Sequence, residues 1–222
     1  MTIEEIVRDI RKQCRLAMDG ITSTSMREKG IIYKLNFGVP ISKITRIAGK
    51  YTPSKELAEV LWDEDVRELK ILATMLFPID QFSKETADKW VRDIKYQEIR
   101  EQVSINILQH LKCAELLTRE WTSYDSEDIR STGYWLLSVL SKTKKLTSID
   151  LDLYPSIWED SSNENNTVLR SSAITALKFV GRISPKLASE VMYNTECLKD
   201  SPNPIHVETY NTLKFEFEYF FE

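Results

Sequence analysis

The segment Tyr96–Leu111, YQEIREQVSINILQHL, decides how the chain is read. Ile99, Val103, Ile107 and Leu111 recur every four residues, the spacing that buries one face of a helix. The helix opens on an aliphatic residue followed by arginine, Ile99-Arg100, and the same opening returns elsewhere. Val66-Arg67 precedes ELKILATML, Ile129-Arg130 precedes STGYWLLSVL, and Leu169-Arg170 precedes SSAITALKFV. Arg67, Arg100, Arg130 and Arg170 lie 33, 30 and 40 residues apart. Echoes at such periods are what stacked helical hairpins leave in a sequence, because no hairpin buries its apolar stripe alone.

Upstream, Thr2 and Glu5 make a capping-box pattern, and Ile3, Ile6, Val7, Ile10 and Cys14 follow at helical spacing, with Gly20 placed to end the helix. A second helix is predicted over Ser25–Tyr33. Pro40 opens a third through Ala48, Pro53 opens SKELAEVLW, and Asp63 is placed to cap the helix from Val66 to Leu76. Downstream, Ser83 caps KETADKWVRDI and Ser126 caps the Ile129 helix. Pro155 interrupts any helix near it, and Ser161–Asn166 reads as an exposed loop. Asn166 or Thr167 starts a helix through Val180, and Ser184-Pro185 opens PKLASEVMYNTE. The end, HVETYNTLKFEFEYFFE, puts Tyr210, Leu213, Phe217 and Phe220 on one helical face; Phe215, Phe217 and Tyr219 also alternate as in a strand. Helix is the preferred reading, as a cap over 203–222. With only 6 Gly and 7 Pro, the chain reads as one all-α domain, 1–222: an α-α superhelix of HEAT/ARM-like repeats.

The 222 residues are 42% hydrophobic and 29% charged, enough for an ordinary core, and the net charge is −4. An acidic total opposes a diffuse grip on nucleic acid but allows a local basic patch. Cys14, Cys113 and Cys197 form no CxxC pair, so they read as small reduced core residues of a cytoplasmic protein. The charged N-terminus shows no leader, and no apolar run reaches the roughly 18 residues that span a bilayer. His110 and His206 fall in separate units and no glycine-rich phosphate loop occurs. No metal, cofactor or membrane contact is therefore expected, and a monomer is.

Within 26–76 the sequence is more specific. MREKGI, FGVPISKITRIAGKY and KELAEVLWDEDVRELKILATML carry Met26, Gly30, Phe37-Gly38-Val39-Pro40, Ile44, Ala48, Glu56-Leu57-Ala58, Leu61-Trp62, Glu68, Leu72 and Ala73. Together with AITALKFVGRISP at 173–185, they resemble the DNA alkylation repair family, the AlkD-type alkylpurine DNA glycosylases of HEAT-like repeats. The resemblance covers roughly 25–192. It implies a concave surface where a Trp-x-x-x-Asp pair, an arginine and a second tryptophan excise cationic alkylated bases. The carboxylate stabilises the oxocarbenium-like sugar.

Laid on this sequence, the Trp and Asp fall at Arg100 and Ser104. The arginine falls at Ser131, or at Arg130 one residue away, and the second tryptophan at Thr175. Serine supplies no negative charge. Glu101, three residues before Ser104, stands about 60° off that face by the 3.6-residue period. The resemblance therefore implies a relative without glycosylase activity that binds DNA backbone, or a protein, on its concave face. Two alternatives stay open: an active glycosylase rebuilt on Glu101, and a protein-interaction scaffold with no nucleic-acid role. The residues expected on double-stranded DNA are Arg100, Arg130, Lys142, Lys145, Arg170, Lys178 and Arg182. For the arginine ladder the competing reading is ion pairing between neighbouring repeats, which suits guanidinium groups. For the lysines it is a solvated surface, and for the tryptophans it is the core.

Overall fold

The computed structural model describes residues 2–222. Among them are thirteen α-helices: α1 (Ile3–Leu16), α2 (Gly20–Glu28), α3 (Ile41–Ala48), α4 (Lys55–Trp62), α5 (Arg67–Leu76), α6 (Lys84–Trp90), α7 (Gln97–Asn106), α8 (Ala114–Thr122), α9 (Glu127–Lys142), α10 (Ile157–Asp160), α11 (Thr167–Gly181), α12 (Pro185–Thr195) and α13 (Pro204–Phe221). The β pairing described is one isolated bridge, Leu35 to Val66. The chain forms two compact units, Met1–Ala87 and Asp88–Glu222.

The caps explain most helix starts. The Thr2/Glu5 box closes on α1, and Ser54, Asn166 and Ser184 each accept an N–H of the first turn they precede. The Ser83 hydroxyl accepts the Thr86 N–H. Four expectations are corrected. Gly20 does not end α1; it begins α2, because the Asp19 carboxylate accepts from both the N–H and the hydroxyl of Thr22. That cap shifts the second helix from the expected 25–33 to 20–28. Asp63 closes α4 instead of opening α5, and Asp65 accepts the Lys34 N–H. The Tyr96–Leu111 helix stops at Asn106, where Ile107 leaves helical geometry and a 3-10 turn, Leu108–His110, carries the rest.

In the first unit α1 packs on α3 and α4, and α5 on α3 and α4, around Ile10, Ile44, Leu57, Leu61, Trp62, Leu69 and Leu72. The Phe37–Pro40 loop is held from beneath by Glu68, which is fully buried. Its carboxylate accepts the N–H groups of Phe37 and Val39, each at 3.1 Å, and the Arg67 guanidinium at 2.7 Å. Arg67 also donates to the Val39 carbonyl, 2.8 Å. Gly38 sits at φ +69°, and a Cβ there would lie 2.2 Å from the Asp19 carbonyl oxygen, so the loop accepts only glycine.

In the second unit α9 is the hub, packed on α7, α8 and α11; α11 in turn packs on α12 and α13. Gly133 lets α8 approach: a Cβ there would meet Thr122 Cγ2 at 2.9 Å. Gly181 makes the seat for Phe217, whose ring would lie 2.3 Å from an added Cβ. That contact docks α13 as a helix, with Tyr210, Leu213 and Phe217 buried, while Phe220, expected on the same face, is 46% exposed. Ser161 is another correction: the expected exposed loop begins with a buried residue whose carbonyl accepts the Thr209 hydroxyl. Trp62, Trp90 and Trp121 are core residues. Of the three cysteines only Cys14 is buried; Cys113 is half-buried and Cys197 exposed.

Candidate functional site

Of the ladder arginines, Arg67 and Arg100 are buried and Arg130 and Arg170 are half-buried. Arg100 has no exposed surface and donates to the Thr132 hydroxyl (3.1 Å), Gln97 Oε1 (2.9 Å) and Asp128 (3.4 Å). Burial pushes this guanidinium below its ordinary pKa, while Asp128 and Glu101 act the other way. Arg130 grips Asp160 with two hydrogen bonds, 2.8 and 3.0 Å, and caps the carbonyls of Tyr124 and Asp125. The Tyr134 hydroxyl adds a third bond to Asp160, 2.7 Å. Arg170 donates to the Asn163 carbonyl, 2.5 Å. The expectation of phosphate contact at Arg100 is thus corrected, because a guanidinium with no exposed surface meets no ligand. Arg130 is spoken for by its bidentate acid. The ladder joins neighbouring repeats: Arg100 to Asp128 and Arg130 to Asp160 span 28 and 30 residues.

The other predicted cations divide. Lys142 and Arg182 come together at the ends of α9 and α11, joined by Lys144 in the turn after α9. That turn is made by Lys144 itself at φ +57°, with the N–H groups of Lys145 and Leu146 returning to the Leu140 carbonyl. These residues, with Leu146, Thr147, Phe179, Ile183 and Phe220, line a hollow of about 550 Å³. Lys142 and Arg182 stand over the Phe179 ring at 5.5 and 5.0 Å, and Arg182 also over Phe220 at 4.9 Å. Arg182 and Lys178 share Glu216 of α13, with Arg182 Nε at 2.7 Å and Lys178 Nζ at 3.4 Å. Lys142 and Lys144 are exposed, and neither has a carboxylate partner among the described residues. Sequence reasoning read the C-terminal aromatics as a core cap and so missed Phe220. Phe179, next to Lys178 in the helix, carried no signal.

Lys145 stands apart, donating to the Gln109 carbonyl (2.6 Å) and reaching His110 Nδ1 at 3.2 Å. Partial burial and then the Lys145 ammonium hold the His110 pKa below its ordinary 6.5. The folded state therefore takes the proton less readily than the unfolded chain. This contribution to stability is full above pH 6.5 and is lost as pH falls through the depressed value. Lys145→Gln is expected to raise the His110 pKa part of the way back, read by NMR titration of the imidazole. An unchanged titration would show that the ammonium does not act on the ring.

At the position implied for a catalytic carboxylate, Ser104 is fully buried on α7 and its Oγ has no hydrogen-bond partner. Glu101, one turn earlier, is half-buried and accepts from Gln97 at 3.1 Å. Ser131 is buried and donates to the Glu127 carbonyl; the Thr175 hydroxyl donates to the Ser171 carbonyl. Among the described residues no cluster of His, Cys, Asp and Glu is fit to hold a metal, and no helix is long and apolar enough to cross a membrane.

A sequence model described as DNA alkylation repair enzyme matches residues 11–192. Among curated proteins no match was found. Two solved structures are similar. One is described as a new family of proteins related to the HEAT-like repeat DNA glycosylases with affinity for branched DNA structures. It is 15% identical, with a TM-score of 0.73, covering 99% of this chain and 95% of that one. The other is a designed armadillo repeat protein in complex with a (KR)4 peptide, 11% identical, TM-score 0.42, covering 96% and 93%. The first likeness establishes the fold as an all-α solenoid of HEAT-like repeats.

Proposed function

We propose, for a chain that belongs to the DNA alkylation repair enzyme family, that it binds DNA through the phosphate backbone and excises no base. The observation that carries this reading is the pairing of exposed Lys142 and Lys144, both free of acids, with Arg182 around one hollow. Two or three such cations suffice for a local grip that net charge −4 does not advertise. The affinity for branched DNA stated for the similar structure supports branched DNA as the first substrate to try. Arg100, without exposed surface, and Arg130, paired with Asp160, lie outside the proposed contact.

Loss of excision rests on Ser104. It offers no charge to an oxocarbenium-like sugar, and the hydroxyl is sealed from solvent. An aspartate there would be buried without a partner, so Ser104→Asp is expected to destabilise the protein, not to restore activity. Catalysis rebuilt on Glu101 predicts release of methylated purine by the native protein and its abolition in Glu101→Gln; that result would refute the proposal.

The binding test is fluorescence anisotropy of branched and linear duplex DNA over a salt series. Binding is expected to weaken as salt rises, and Lys142→Gln with Lys144→Gln should flatten the slope of log K against log salt by about two. Affinity without a salt slope, or a slope unmoved by the two substitutions, would place the interface elsewhere. No affinity for any DNA at low salt would favour a protein scaffold.

A further inference from the structure

We infer that the hollow receives one unpaired nucleotide of a branched or flapped DNA, so that the protein distinguishes unpaired from paired strands at this point. The inference rests on the DNA-binding reading and deepens it. A patch that only gathers phosphates needs no depth and no aromatic wall, and this one has both.

Its volume, about 550 Å³, falls in the range of roughly 300–1,000 Å³ that small ligands occupy, large enough for one nucleotide. The lining divides by chemistry. Phe179, Phe220, Leu146 and Ile183 provide apolar and aromatic surface; Lys142, Lys144 and Arg182 provide cations. A nucleotide has the same division, a flat apolar-faced base and an anionic phosphate.

Phe220 is a large apolar side chain left 46% exposed although Gly181 seats its neighbour Phe217 in the core. The Arg182 guanidinium lies over both rings and is fixed there by Glu216, so the wall is held in place before any ligand arrives.

Two effects oppose an anion here. Glu216 cancels one charge of the Lys178–Arg182 pair, and α9, α11 and α13 all end at the hollow, where helix dipoles are negative. A helix end acts as about half a charge, so three ends and one carboxylate come to about −2.5. Four cations, Lys142, Lys144, Lys178 and Arg182, outweigh them. A paired base cannot enter, because its face is covered by its neighbours in the stack. An unpaired base exposes both faces to an aromatic ring and a guanidinium, a sequence-tolerant contact.

The test compares a duplex carrying a single-stranded flap with a fully paired duplex of equal length, by anisotropy at fixed salt. The flap should bind more tightly, and 2-aminopurine placed in the flap next to the junction should lose fluorescence on binding. Phe220→Ala should lower the flap-to-duplex affinity ratio by about tenfold, and Phe220→Trp should keep it. A lost melting transition in the alanine variant would leave the tryptophan variant and the 2-aminopurine signal to decide. Equal affinity for both DNAs, an unquenched probe, or a ratio indifferent to Phe220→Ala overturns this inference and leaves phosphate binding standing. Failure to bind either DNA overturns the DNA reading itself.

Discussion

Glu68→Ala is expected to unmake the first unit. The carboxylate is fully buried and serves three donors at once: the N–H groups of Phe37 and Val39 and the guanidinium of Arg67. Removing one partner of a buried ion pair costs about 3–5 kcal/mol, because the other charge stays buried without compensation. Two orphaned N–H groups add about 1–3 kcal/mol each unless water enters. The sum is comparable with the whole stability of an ordinary domain, about 5–15 kcal/mol. The expected result is a loss of at least 4 kcal/mol in urea melting, or no cooperative transition at all. Cys14 gives an independent readout. It has no exposed surface, and burial, followed by the nearby Glu68 charge, pushes its thiol up to about 12. Native protein should react with a thiol reagent at exposed Cys197 and not at Cys14, whereas Glu68→Ala should label both. A variant melting within about 1 kcal/mol of the native protein, with Cys14 still protected, would show that the Phe37–Pro40 loop stands without its carboxylate.

Asp160→Ala is the counterpart in the second unit. Asp160 and Arg130 are nearly buried, with side chains 4% and 16% exposed, and Tyr134 is wholly buried. Burial, and then the bond to Asp160, raise the Tyr134 phenol well above its ordinary pKa, so it stays a neutral donor. Alanine at 160 leaves a guanidinium and a hydroxyl unanswered, and about 3–5 kcal/mol is expected to be lost. The physical cause can be isolated. If the loss is uncompensated charge, then Arg130→Met, Asp160→Leu and Tyr134→Phe together should recover most of it, since apolar replacements of a whole buried network are often neutral. A triple variant no better than Asp160→Ala would mean that the network also fixes the backbone turn between α8 and α9, through the Tyr124 and Asp125 carbonyls that Arg130 caps.

The two networks explain a pattern that the sequence shows without its reason. An arginine in the first turn of a helix is opposed by the dipole, yet it recurs at 67, 100, 130 and 170. The partners supply the reason: Glu68, Asp128, Asp160 and the Asn163 carbonyl. Of the acids adjacent in sequence, Asp128 is one of these partners, whereas Glu64 pairs with Arg11 and Asp65 holds the Lys34 N–H. Asp160 was hidden inside a segment with no helical period, so nothing local marked it.

The candidate site was legible in parts. Lys142 and the Lys178–Arg182 pair were visible as cations, and the resemblance over 25–192 named the family that the match to 11–192 establishes. The hollow itself was not. It joins the ends of α9, α11 and α13, and its aromatic wall depends on how α13 rotates about the Phe217–Gly181 contact.

The sequence by itself determined the helices: a 3.6-residue apolar period and an N-cap act within one or two turns, so their information is local. It also determined the family, through residues clustered near the Phe37–Pro40 loop, and the absence of a carboxylate at 104. Only the tertiary structure decided which cations are structural and which are free. That choice is made by desolvation and by acids some thirty residues away on other helices, and a charge in a one-dimensional string carries no record of its burial.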